Sequence, residues 1–145
     1  SIAASEMQLG YRHSIFADRD WCITKVKLQL RPGDPAQIRQ KMEELMARRK
    51  AKQPLEYPSA GSAFKRPPEG TPPAAALIDR CGLKGLQVGG AQVSEKHAGF
   101  IINRGGATAS DVAELMRQVQ KTVQEREGVL LEPEIRLLGS FEEGM

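Results

Sequence analysis

Ser62 lies in the stretch Pro58-Ser59-Ala60-Gly61-Ser62-Ala63-Phe64-Lys65, with Arg66-Pro67-Pro68 directly behind it. Proline and glycine make this backbone lean enough to approach a ligand closely. Lys52, Lys65 and Arg66 flank the Ser62 hydroxyl with cations. Such a loop can hold an anionic substrate beside a small acid or nucleophile. A plain Pro/Gly-rich surface loop has the same composition, so the residues alone leave both readings open. Far along the chain, Glu132, Glu134 and Arg136 share one face of an alternating segment. Carboxylates on a strand face are usually solvated.

The elements that must position these groups can be read from length and pattern. The chain has 145 residues, enough for one domain with one sizeable core. Its 40% hydrophobic and 27% charged residues describe an ordinary globular protein. A net charge of +3 is too mild to point to nucleic acid, and aromatics at 5% supply no stacking platform. No apolar run is long enough to span a membrane, and the N-terminus lacks the pattern of a signal peptide. Cys22 and Cys81 are far apart and His13 and His97 have no ligand spacing, so no disulfide framework and no metal are expected. Two lone thiols suit a reducing compartment.

Residues 20–30 alternate, with Cys22, Thr24, Val26, Leu28 and Leu30 on one face and Lys25, Lys27 and Gln29 on the other. This predicts a half-buried strand that places Cys22 inside. Asp34 and Pro35 then predict a helix start. Ile38, Met42, Leu45 and Met46 form its apolar stripe, and it should stop before Pro54. Residues 54–73 read as a loop with no strand in it. A short helix after Pro72-Pro73 carries Ala74, Leu77, Ile78 and Cys81 and ends at Gly82. Residues 85–94 read as a strand interrupted by Gly89-Gly90, which marks a bulge or a close backbone approach. Phe100-Ile101-Ile102-Asn103 is a short strand. Thr108 to Asp111 is a capping box for the longest helix, with Val112, Leu115, Met116, Val119 and Val123 on one side and Gly128 at its end. Residues 129–138 read as the last strand. The order predicts an α+β domain with helices packed on one side of a mixed or antiparallel sheet.

Several longer motifs now bear on identity. Lys52-Gln53-Pro54-Leu55-Glu56-Tyr57 runs into the Pro58–Lys65 stretch and Arg66-Pro67. Gly82-Leu83-Lys84-Gly85 precedes Gly89-Gly90-Ala91-Gln92-Val93-Ser94-Glu95-Lys96-His97-Ala98-Gly99-Phe100. With Gly10-Tyr11-Arg12-His13-Ser14-Ile15-Phe16 and Glu134-Ile135-Arg136-Leu137-Leu138-Gly139 they cover nearly the whole chain. In order and spacing they resemble the C-terminal, substrate-binding domain of the UDP-N-acetylenolpyruvoylglucosamine reductase family, also called UDP-N-acetylmuramate dehydrogenase. The Lys-Arg-Pro and Ser-Glu-Lys-His-Ala-Gly-Phe forms resemble its shorter type.

The resemblance implies a cytoplasmic bacterial flavoprotein that makes peptidoglycan precursor for cell wall, cell shape and division. NADPH reduces FAD, and the reduced flavin passes hydride to the enolpyruvyl double bond of UDP-N-acetylglucosamine enolpyruvate, giving UDP-N-acetylmuramate. By the same resemblance Ser62 is the proton donor, Glu134 the catalytic carboxyl, and Lys52 the contact to the substrate diphosphate. Lys65 and Arg66 are candidate substrate cations, and Tyr11 and Arg12 either reach ligand or pack at a domain junction. The chemistry suits these types. Hydride addition leaves an enolate-like, strongly basic carbon, so a well-placed Ser hydroxyl suffices as acid. A protonated Glu134 would stabilise the carboxylate most when its charge is largest.

The family holds FAD mainly in N-terminal domains that 145 residues cannot accommodate. Residues 1–19 are therefore expected to be a junction to those domains and 20–145 the substrate-binding domain, inactive alone. The alternative is a stand-alone module that binds UDP-sugar or another anionic ligand without catalysis.

Overall fold

A computed structural model describes residues 1–139 and 141. The chain divides into two compact units, Ser1–Pro35 and Ala36–Met145. Residues 140 and 142–145, the end of the expected domain, lie outside the described residues.

The first unit is built from turns. A 3-10 turn at Ala4–Glu6 is closed by the Glu6 carboxylate, which accepts from the Ala3 N–H at 3.0 Å. Gly10 and His13 exchange backbone hydrogen bonds, with Arg12 between them at a positive φ of 56°. Phe16 meets Trp21 edge to face, and the Arg19 guanidinium lies 4.4 Å over the Trp21 ring. Beyond Trp21 the expected strand is not formed. Residues 22–30 are exposed, Cys22 included, and join no ladder among the described residues. Alternation prepares a strand, but a strand also needs a neighbour to take its N–H and C=O groups.

In the second unit, α1 (Pro35–Lys52) forms where its caps place it. Its residues are strong helix formers, and Glu44 pairs with Lys41 at 2.9 Å and with Arg48 at 3.6 Å. Its apolar stripe is not buried, however: none of its residues is. Local propensity makes this helix without a packed face.

The remaining elements are β1 (Ser59–Ser62), α2 (Ala74–Arg80), β2 (Gln87–Val88), β3 (Ala91–Val93), β4 (Phe100–Asn103) and α3 (Ala109–Glu127). The sheet order is β1-β4-β3-β2, and every pairing is antiparallel. Gly89 and Gly90 are the two-residue turn of the β2–β3 hairpin, since Val88 faces Ala91. α3 packs on β2 and β3, and α2 packs against α3. Leu77 and Ile78 meet Leu115, Met116, Val119 and Val123 over Ala91, Val93 and Ile101. Cys81 is buried in this core as its helix face predicts.

Two expectations about strands change here. Residues 59–62 do form a strand, at the sheet edge and with a break in register between Ser59 and Ser62. Gly61, at φ 85°, accommodates that break, and a Cβ added there would meet nothing within 4 Å. Residues 129–138 form only an isolated bridge, Phe64 to Pro133. Leu131 is buried, and its carbonyl accepts from Gln120 Nε2 at 2.7 Å. Pro133 has no N–H, and residues 136–139 are exposed, so the ladder does not extend.

Candidate active-site edge

Ser62 ends β1 at an exposed position opposite Phe100. The next two residues anchor it. Ala63 and Phe64 are buried, and the Ala63 N–H donates to the Gly99 carbonyl at 2.8 Å. The segment after α3 then crosses alongside. Lys65 N–H donates to the Glu132 carbonyl at 2.8 Å, and Glu134 N–H donates to the Ala63 carbonyl at 2.9 Å. Residues distant in sequence are thus clamped backbone to backbone, with Glu134 one residue out of register from Ser62. Glu134 is half-buried, and its Oε2 is shielded from solvent. Lys65 forms an ion pair with Glu132.

The structure therefore brings the backbone around Ser62 and Lys65 against that of Glu134 and adds Glu132, for which the sequence suggested no role. Arg66 comes next, exposed. Lys52 is the exposed last residue of α1. Tyr11 and Arg12 belong to the first unit, where the Arg12 guanidinium lies 5.4 Å over the Tyr11 ring.

A cleft of about 320 Å³ is lined in part by Glu56, Tyr57, Gln92, Ser94, Lys96 and Arg104. Gln92 and Ile102 alternate with the core residues Ala91, Val93 and Ile101, so the cleft lies on the sheet face away from α2 and α3. Arg104 stacks 4.7 Å over the Tyr57 ring and donates from Nη1 to the Tyr57 hydroxyl. Lys96 Nζ reaches both Glu56 carboxylate oxygens at 3.3 Å. The Glu56 carboxyl sits below its ordinary range because of its own backbone N–H first, and then Lys96. The rim is stiffened by local bonds: Ser94 Oγ accepts from the N–H groups of Lys96 and His97, and His97 Nδ1 accepts from Gly99 N–H at 3.1 Å. Sequence reasoning assigned no role to any lining residue. Glu56, Tyr57, Ser94 and Lys96 stand inside the motif stretches, which was the available signal. Arg104 carried none. Among the described residues, no group of three His, Cys, Asp or Glu side chains could hold a metal ion. No described helix is long and apolar enough to cross a membrane.

The second unit is an antiparallel α+β fold with Ser62 exposed and Glu134 half-buried on one edge. Residues 53–138 match the family model of the UDP-N-acetylenolpyruvoylglucosamine reductase C-terminal domain, and the chain belongs to that family. The reductase of Exiguobacterium sibiricum is 51% identical over 139 residues, which is 96% of this chain and 45% of that protein. That of Caldanaerobacter subterraneus subsp. tengcongensis is 51% identical over 138 residues, or 95% of this chain and 45% of that protein. The crystal structure of the Thermus caldophilus reductase superposes with a TM-score of 0.69 at 39% identity, covering 91% of this chain and 46% of that one. The chain thus spans a little under half the length of these relatives.

Proposed function

We propose that this chain supplies the proton-donating, substrate-holding side of a reductase that converts UDP-N-acetylglucosamine enolpyruvate to UDP-N-acetylmuramate. The observation that carries this reading is the backbone clamp that pairs Glu134 with Ala63, the residue after Ser62, in a chain belonging to this family. NADPH is the reductant and FAD the carrier. The edge bearing Ser62 is exposed, as a surface that meets a flavin must be. The groups that hold the flavin are assigned to the part of the reductase that precedes this domain. When bound, the flavin supplies hydride to the vinyl carbon remote from the ether oxygen.

The chain's own residues act on the other carbon. Ser62 Oγ–H gives its proton to the carbon next to the substrate carboxylate as negative charge builds there, and later regains a proton from water. A protonated Glu134 donates a hydrogen bond to the substrate carboxylate, and that bond strengthens as charge moves onto it. Lys65, held by Glu132, keeps a cation at the same edge. Lys52 and Arg66 are exposed cations suited to the diphosphate. Tyr11 and Arg12 are assigned to ligand contact or to the junction, residues 1–19. The setting is the bacterial cytoplasm, in peptidoglycan synthesis.

The test is Ser62→Ala in the full-length reductase. Reduction of bound flavin by NADPH should continue, while UDP-N-acetylmuramate formation falls by about 10²–10⁴-fold. Full product formation by that variant would overturn the assignment. Substrate binding with no turnover in the unmutated full-length protein would favour a binding module instead.

A further inference from the structure

The proposed reaction leaves His97 without a task, yet the turn that carries it meets the Ser62 edge. Ala63, the residue after Ser62, bonds to Gly99 through its N–H at 2.8 Å and to Glu134 through its carbonyl at 2.9 Å. Ser62 itself is paired with Phe100. The half-buried His97 thus stands in a turn fastened to the same residue as Glu134.

The turn fixes the ring. Ser94 Oγ accepts from the His97 N–H at 3.3 Å, and the His97 carbonyl accepts from the Phe100 N–H at 3.0 Å. The imidazole meets the Phe100 ring edge to face at 4.9 Å. A Cβ on Gly99 would stand 3.1 Å from the imidazole Cε1, so glycine leaves the room that the ring occupies. Nδ1 accepts from the Gly99 N–H at 3.1 Å. An imidazole nitrogen that accepts a hydrogen bond carries no proton, so the ring proton is on Nε2. Nε2 has no hydrogen-bond partner among the described residues. The turn therefore presents one N–H of fixed tautomer, with no described group to receive it.

We propose that His97 holds the substrate, its Nε2–H donating to the enolpyruvyl carboxylate that Glu134 also contacts. A carboxylate has two oxygens and accepts from several donors. Charge moves onto it as hydride is added, and a donor already set by the turn strengthens then without reorganising. The inference rests on the proposed roles of Ser62 and Glu134, which put the carboxylate at this edge. The competing role is a histidine that only caps its turn, and amide side chains separate the two. An Asn amide reaches the position of Nδ1, and a Gln amide that of Nε2. His97→Asn can still cap the turn, as Asn103 caps its own, where Oδ1 accepts from the Gly105 N–H at 2.8 Å. His97→Gln keeps the outer donor instead.

Steady-state kinetics of the full-length reductase carrying either substitution test the proposal, with Ser62→Ala measured beside them. His97→Asn should lower kcat by about 10²-fold, and His97→Gln by less than about tenfold. Equal losses, a larger loss for His97→Gln, or an unchanged kcat in His97→Asn would overturn the proposal. Full product formation by Ser62→Ala overturns the proton-donor reading. Product formation lost there but kept by His97→Asn overturns the present proposal alone. Nitrogen NMR of the His97 ring in the unmutated protein gives a readout that does not depend on how the variants fold. Nδ1 should be unprotonated and Nε2 protonated, and adding UDP-N-acetylmuramate should move the Nε2 signal. A proton on Nδ1, or an Nε2 signal that this product leaves in place, would overturn the assignment.

Discussion

In the proposed function Ser62 is a weak acid; it sits at an exposed strand end, and its two C-terminal neighbours hold it in place. Ala63 and Phe64 are buried, and Ala63 is bonded on both sides, to Gly99 and to Glu134. Glu134 sharpens the residue-scale test. If it acts as a neutral hydrogen-bond donor, Glu134→Gln keeps a donor and Glu134→Ala does not. In the full-length enzyme the Ala variant should lose roughly 10²–10³-fold in kcat, the scale of one lost donor to a developing oxyanion, and the Gln variant clearly less. Equal losses would mean that the carboxyl proton itself is transferred. Lys65 gives a contrasting case. Its pair with Glu132 is largely exposed, so Lys65→Met should cost no more than about 1 kcal/mol in stability by denaturant melt. Its effect should appear in KM instead. Ser62, Lys65 and Glu134 were legible because they stand in contiguous motifs. Arg104 was not, because its partner Tyr57 is far away in sequence and only the fold stacks them.

At the scale of elements, local signals and long-range demands separate cleanly. α3 runs from its Thr108 cap to Gly128, as its capping box, apolar period and terminal glycine require. The same cap also does something the sequence could not announce. Asp111 Oδ2 accepts from Thr108 N–H at 2.9 Å and from Gly90 N–H at 3.3 Å, tying the hairpin turn to the helix. The Asp111 carboxyl is held below its ordinary range, first by the Thr108 backbone N–H and then by that of Gly90. A carboxyl depressed by folding stabilises in its ionised form. Its contribution should be whole above roughly pH 5 and fade as pH falls below about 4, and Asp111→Asn should flatten that part of the stability–pH curve. Gly90 shows why the turn is glycine. A Cβ there would stand 2.4 Å from Ala107 N and from Gly105 O, so Gly90→Ala forces backbone to move and should cost about 1–3 kcal/mol by thermal or urea melts. Gly61 has open space around it, so Gly61→Ala meets only its positive φ and should cost less, about 1 kcal/mol.

For the molecule as a whole, the chain spans about 45% of the length of the relatives it matches, and the proposed function gives it one side of a two-sided reaction. This chain, mixed with FAD, NADPH and substrate, should show no NADPH consumption above background; measurable turnover would sink the half-site reading. Within the second unit, Leu115 is fully buried, and Leu115→Ala should cost about 2–5 kcal/mol. From its sequence alone the protein's α+β class, its three helices and its family were determined, because caps, helical periodicity and contiguous motifs are written in neighbouring positions. Only the tertiary structure decided that residues 59–62 are an edge strand, that residues 22–30 join no ladder, that α1 buries no face, and that Glu134 pairs with Ala63, next to Ser62 in the chain. Each of these depends on whether a distant stretch of chain arrives to complete a ladder or cover a face, and that is a property of the fold, not of the local sequence.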